Sequence, residues 1–137
     1  MAIKAIDTTK GLDYTLIAKI LVEEVNPFNN ANTYLAVGDS LANVADSQID
    51  LQGANKTRIS MDAGYPKTDP DGIGEDNRIR FRATIDDTTA NFDINEWGIA
   101  DSSIGGNLLL RVVEDMQPKV SGTTWIFERD IDLSEVV

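Results

Sequence analysis

The chain has 137 residues, with 12 lysines and arginines against 23 aspartates and glutamates, a formal charge of −11, and neither histidine nor cysteine. Those two absences exclude a thiolate nucleophile, a disulfide, a zinc site built on Cys or His and a Ser-His-Asp triad, and the charge disfavours a nucleic-acid partner. Hydrophobic residues at 42% and charged residues at 26% are those of an ordinary folded domain, and no apolar run approaches the roughly 18 residues of a membrane span, so no membrane partner is expected.

Residues 1–8 form an N-terminal arm, with alternation in Ala2-Ile3-Lys4-Ala5-Ile6 and no signal-peptide-like apolar stretch. The rest, 9–137, is expected to be one domain. Residues 9–25 are expected to be helical: Asp7, Thr8 or Thr9 can cap the start, and Tyr14, Ile17, Ala18, Ile20, Leu21, Val22 and Val25 share a face. Leu12 and Leu16 fall on the polar side, and the β-branched content keeps a strand pair open as the alternative. Pro27 ends the element.

Beyond Pro27 the pattern is β. Thr33–Val37 reads as a strand stopped by Gly38-Asp39-Ser40, residues 41–55 as a surface excursion with one helical turn, and Lys56–Met61 as a second strand. Residues 62–77, with two prolines and three glycines, form a long polar loop without regular structure. In 78–85, Ile79, Phe81, Ala83 and Ile85 alternate with Arg78, Arg80, Arg82 and Thr84. Phe92–Ala100 is a strand whose phase slips, which predicts a bulge near Asn95-Glu96. Asn107–Met116, apolar on both faces, is expected to be central, and a last strand covers 123–133. Short strands joined by turns predict a mainly β fold, an antiparallel β-sandwich (Ig-like or jelly-roll-like) with an N-terminal helix. Phe81, Phe92, Trp97, Trp125 and Phe127 are the expected aromatic core.

No residue pattern demands a catalytic site or a cofactor. The acids Asp69, Asp71, Glu75 and Asp76 sit among glycines as Ca²⁺ ligands do, but an EF-hand count puts Arg80 where a bidentate Glu is needed. A solvated turn is the preferred reading there, a Ca²⁺ site the alternative. Glu96 and Arg111 stand alone in apolar strands, so each needs a partner, and a structural pair across adjacent strands is expected. The Arg78, Arg80, Arg82 stripe is either balanced by cross-strand acids such as Asp130 and Asp132, the preferred reading, or a docking face for an acidic partner.

Several blocks resemble small structural proteins of tailed bacteriophages: Arg80-Phe81-Arg82-Ala83-Thr84, Ala90-Asn91-Phe92, Asn95-Glu96-Trp97-Gly98-Ile99, Gly105-Gly106-Asn107-Leu108-Leu109-Leu110-Arg111 and Ser121-Gly122-Thr123-Thr124-Trp125. Upstream, Pro27–Ser40 and Met61–Pro66 resemble the same group. Ile94 stands where an aromatic is common and Leu110 where Asn is common. The resemblance implies a virion component made in the host cytoplasm, with no catalytic residue carried over. A capsid decoration or cement protein bridging capsomers is preferred over a tail collar, baseplate or fibre-base protein, since the sequence shows no heptads and no collagen-like repeat. The implied partners are the major capsid protein or other virion proteins, and further copies of itself, a trimer among them. Ile3, Lys4, Tyr65, Arg78, Arg80 and Arg82 are the candidate contacts. The rival from another class is a carbohydrate-binding module, with Tyr14, Tyr34, Tyr65, Trp97 and Trp125 as stacking platforms.

Overall fold

The computed structural model describes residues 2–4, 14–45, 47–75 and 77–136, with side chains described between 18 and 133. In chain order the elements are β1 (Ala2–Lys4), α1 (Tyr14–Leu21), β2 (Tyr34–Gly38), β3 (Lys56–Ser60), β4 (Lys67–Thr68), β5 (Arg78–Ile85), β6 (Glu96–Ala100), β7 (Leu108–Val113), β8 (Trp125–Asp132) and β9 (Ser134–Val136). Two antiparallel sheets, ordered β3-β2-β6-β7 and β4-β5-β8, form a β-sandwich. A third, two-stranded sheet joins the arm to the C-terminal end, with Ile3 opposite Glu135.

The period-two pattern of β5 sets one inner face. Phe81, Ala83 and Ile85 are buried, while Thr84 is exposed and the three arginines are half-buried. From the four-stranded sheet, Leu35, Val37, Trp97, Ile99, Leu110 and Val112 enter the same core. The layers meet where Trp97 packs edge-on against Phe127, with ring centroids 5.0 Å apart and planes at 62°. Such a contact adds about 0.5–1.5 kcal/mol to the burial of the two rings.

Several expectations are corrected. The helix ends at Leu21 rather than Val25; residues 9–13 lie outside the described residues. Its apolar face is narrower than the wheel suggests. Ile20 and Val25 pack on the core, whereas Leu21 and Val22 are exposed. No helix occurs among the described residues of 41–55. The polar loop contributes a two-residue strand, since Lys67 and Thr68 pair with Arg80 and Ile79. The strand of 107–116 is not central: β7 is an edge of its sheet. It is apolar on both faces because the 39–55 excursion covers the side away from the core.

The phase slip also arises differently. Residues 92–95 leave the regular ladder, and the extra length lies on the opposite strand. Glu96 pairs with Val113, but Asp93 bridges Pro118, so three steps along one side match five along the other. A separate bulge places Ala100 opposite Leu108 while Ile99 faces Leu110. Phe92 and Trp125, expected in the core, are half-buried at its margin, unlike Phe81, Trp97 and Phe127.

Candidate functional site

The outer face of the four-stranded sheet is built around small residues. Ala36, Gly98 and Arg111 lie side by side in register, and Gly38 faces Glu96. A Cβ on Gly98 would stand 2.6 Å from the Leu110 carbonyl oxygen, and one on Gly38 would collide with the Glu96 carboxylate. The missing Cβ at Gly38 leaves room for the Glu96 carboxylate, and the missing Cβ at Gly98 lets the Leu110 main chain and the Leu108 and Leu51 side chains close in.

Glu96 and Arg111 are both fully buried, with 0% exposure. The Arg111 Nε donates to Glu96 Oε2 at 2.6 Å. The same carboxylate accepts main-chain N–H groups from Gly53 at 2.7 Å, Gln52 at 3.0 Å and Ser40 at 3.4 Å. Arg111 Nη1 donates to the Ala42 carbonyl at 3.0 Å and to Gln48 Oε1 at 3.2 Å. Nη2 has no acceptor among the described residues, and Asp46 of the same loop is not one of them. The pair expected from sequence therefore forms, and it also clasps residues 40–53 to the sheet. Asp39 fastens the loop's far end: its carboxylate accepts the Asn55 side-chain amide at 2.8 Å and main-chain N–H at 3.2 Å. That side-chain hydrogen bond comes first in holding its pKa below the ordinary 3.8.

The other sheet carries the arginine stripe on its outer face. Arg78 pairs with Asp132 at 2.8 Å and with Glu75 at 2.7 Å. Arg80 pairs with Asp130 at 2.7 Å and with Asp71 at 3.1 Å. Arg82 Nε stands 3.2 Å from Asp62 Oδ2. The register that aligns Arg78 with Asp132 and Arg80 with Asp130 produces this ladder. Hydrogen bonding to Arg80 first, then its charge and that of Arg78, holds the Asp130 carboxyl below the ordinary 3.8 against partial desolvation. The stripe is thus neutralised by acids from the facing strand and from the polar loop.

That loop is closed by its own main chain. Asp69, at φ 46°, accepts N–H groups of Ile73, Gly74 and Glu75 on one carboxylate oxygen at 2.9–3.0 Å. Asp71 and Glu75 turn to Arg80 and Arg78, so three of the four candidate Ca²⁺ ligands serve other contacts; Asp76 lies outside the described residues. Among the described residues no three acids converge on one point. Tyr65, expected on an exposed loop, is half-buried against the core, with Lys67 and Arg82 cations 4.9 and 5.8 Å from its ring centroid. Of the arm contacts, Ile3 and Lys4 are placed on β1 by the backbone alone. The side chain of Tyr14 lies outside the described residues.

Three contributors were not singled out from sequence. Asn30 donates to the carbonyls of Asp62 at 2.8 Å and Tyr65 at 2.7 Å, fixing the root of the polar loop. Lys119 is 1% exposed and donates to the Asp86 carbonyl at 2.6 Å and to Asn91 Oδ1 at 2.9 Å. Glu114 accepts from the Trp97 indole and from Arg129, each at 3.1 Å. Lys119 follows Pro118 at an isolated bridge to Asp93, outside the regular strands, where no periodicity marks burial; its signal is absent from the sequence. No protein-family model, no curated protein and no solved structure matches the chain.

Proposed function

We propose that this chain is a non-enzymatic structural protein of a tailed-phage virion that binds the outer capsid shell as a decoration or cement protein. The reading rests on the phage-like blocks, and one observation supports it: those blocks brace two outward loops. Asn30 of the first block holds Asp62 and Tyr65 of the second. Glu96 and Arg111, from the two most specific blocks, clasp residues 40–53. Pre-ordered loops reduce the entropy lost on docking, and many weak copies on a repeated lattice act together. The acidic surface keeps the free protein soluble before assembly.

Immunogold labelling of virions with antibody to the recombinant chain tests this. Gold on heads is expected; gold on tails assigns the collar, baseplate or fibre-base alternative, and unlabelled particles overturn the virion reading. Deleting residues 1–8 is expected to weaken attachment to shells while the domain still melts cooperatively; normal occupancy by the truncated protein removes the arm from the interface.

A further inference from the structure

On the side of the sandwich where the β7 and β8 edges approach, the displaced segment 114–117 leaves a groove of about 570 Å³. Its walls are Glu114, Asp115, Met116 and Gln117 on one side and Trp125, Phe127 and Arg129 on the other. Three features mark it, the first two belonging to the same displaced segment. The ladder gives way here, with two extra residues relative to β6. Gln117 holds φ at 78°, a left-handed conformation costly for a residue with a Cβ, and strain of this kind gathers at binding sites. Trp125 is only half-buried, and neither its indole N–H nor the Gln117 side-chain amide makes a hydrogen bond among the described residues.

We infer that this groove is a binding subsite for an uncharged saccharide, with Trp125 as the stacking platform. A pyranose presents a face of C–H groups to the electron-rich indole and a rim of hydroxyls to planar polar groups. Gln117 and the Asp115 oxygen left over from its bond to the Gln117 N–H supply that rim. Glu114 and Arg129 neutralise one another at 3.1 Å and leave the groove without the cationic lining an anionic ligand requires. The alternative occupant, an extended peptide added to the β8 edge, needs the outward main-chain acceptors. Arg129 Nη1 already occupies one of them, the Glu128 carbonyl, at 2.9 Å.

The inference goes beyond the structural role and does not depend on it. The test titrates the full chain with chitotriose, cellotriose and maltotriose up to about 10 mM, a range that covers weak subsites, and reads tryptophan emission and saturation-transfer NMR. At least one trisaccharide is expected to bind and to shift the emission. Trp125→Ala, and independently Gln117→Ala at an exposed position, should weaken binding by about tenfold or more with an unchanged far-UV spectrum, as the loss of a stacking or hydrogen-bonding group implies. Trp125→Tyr, which keeps a ring, should retain part of the affinity and covers the case in which the alanine variant misfolds. No binding by any of the three sugars, binding undiminished in both the Gln117→Ala and Trp125→Tyr variants, or capture of an extended valine- and threonine-rich peptide without any sugar signal would each overturn it.

Discussion

The two outer faces of the sandwich use the same chemistry, an arginine against a carboxylate from a neighbouring strand, in opposite solvent environments. Under the excursion, Glu96 and Arg111 have no exposed surface. On the other face, Arg80 and Asp130 keep 19% and 25% of theirs, and Arg78 and Asp132 keep 32% and 23%. Desolvation makes a buried pair nearly neutral overall but punishes the loss of either partner. A pair open to water is screened, and its loss is hardly felt. The first face therefore specifies how a loop lies, and the second depends only weakly on its pairs.

The largest effect is expected at the clasp. Arg111→Met leaves the Glu96 carboxylate buried without its counter-charge, a change that costs about 3–5 kcal/mol. Chemical denaturation should show that loss, and limited proteolysis should cut within residues 39–55 before the rest of the domain. Glu96→Gln keeps an acceptor for only one of the Gly53 and Gln52 N–H groups, which bond to different carboxylate oxygens, and it strands Arg111. The double variant Glu96→Gln with Arg111→Met should recover part of the sum of the single losses. Strict additivity in this cycle would show that the two side chains act on the loop separately.

This clasp also shows what the sequence could reveal. Two charges isolated in apolar strands had to find each other, because a lone buried charge is too costly, so the pair was legible. The loop was not, because its partners are main-chain N–H groups of Gly53 and Gln52, which no side-chain pattern advertises. The alternation of β5 named its inner face and its cross-strand acids, since period two leaves one geometry open. Residues 107–116 misled for a physical reason: burial on both faces looks the same whether a neighbouring strand or a folded-back loop excludes the water. The margin positions of Phe92 and Trp125 were hidden by the displaced segment 114–117, whose extra residues depend on pairing across the sheet. Isolated residues outside the regular strands, such as Lys119, carry no signal at all.

A middle-sized effect is expected at Gly98. An alanine there brings a Cβ against the Leu110 carbonyl oxygen at 2.6 Å and Leu108 Cδ1 at 3.0 Å. Main chain cannot swing aside as a side chain can, so β6 and β7 must separate, at about 1–3 kcal/mol. The test compares Gly98→Ala with Gly64→Ala, where a Cβ meets nothing within 4 Å. Position 64 has φ 84°, so its alanine carries backbone strain but no clash. Both variants should be destabilised, and only Gly98→Ala should loosen the clasp, seen as faster hydrogen exchange of the Gly53 and Gln52 amides. Protection equal to the parent in Gly98→Ala would mean that the excursion does not depend on the close approach of these strands.

The smallest effect belongs to the exposed ladder. Arg80→Met removes a partly hydrated, solvent-screened pair, so only a small loss of stability is expected. Its signature is a pH dependence rather than a large shift. The Asp130 carboxyl titrates below 3.8 in the folded protein, first through its hydrogen bonds from Arg80. A depressed folded value stabilises the fold above the ordinary carboxylate range, and that contribution disappears as pH falls through the folded value. Melting temperature measured from pH 7 down to pH 2 should therefore fall in acid for the parent protein. Asp130→Asn and Arg80→Met should each flatten the portion below about pH 4. A parent and an Asp130→Asn variant with parallel profiles throughout would mean that the ladder presents charge to solvent or a partner without stabilising the strand pair it spans.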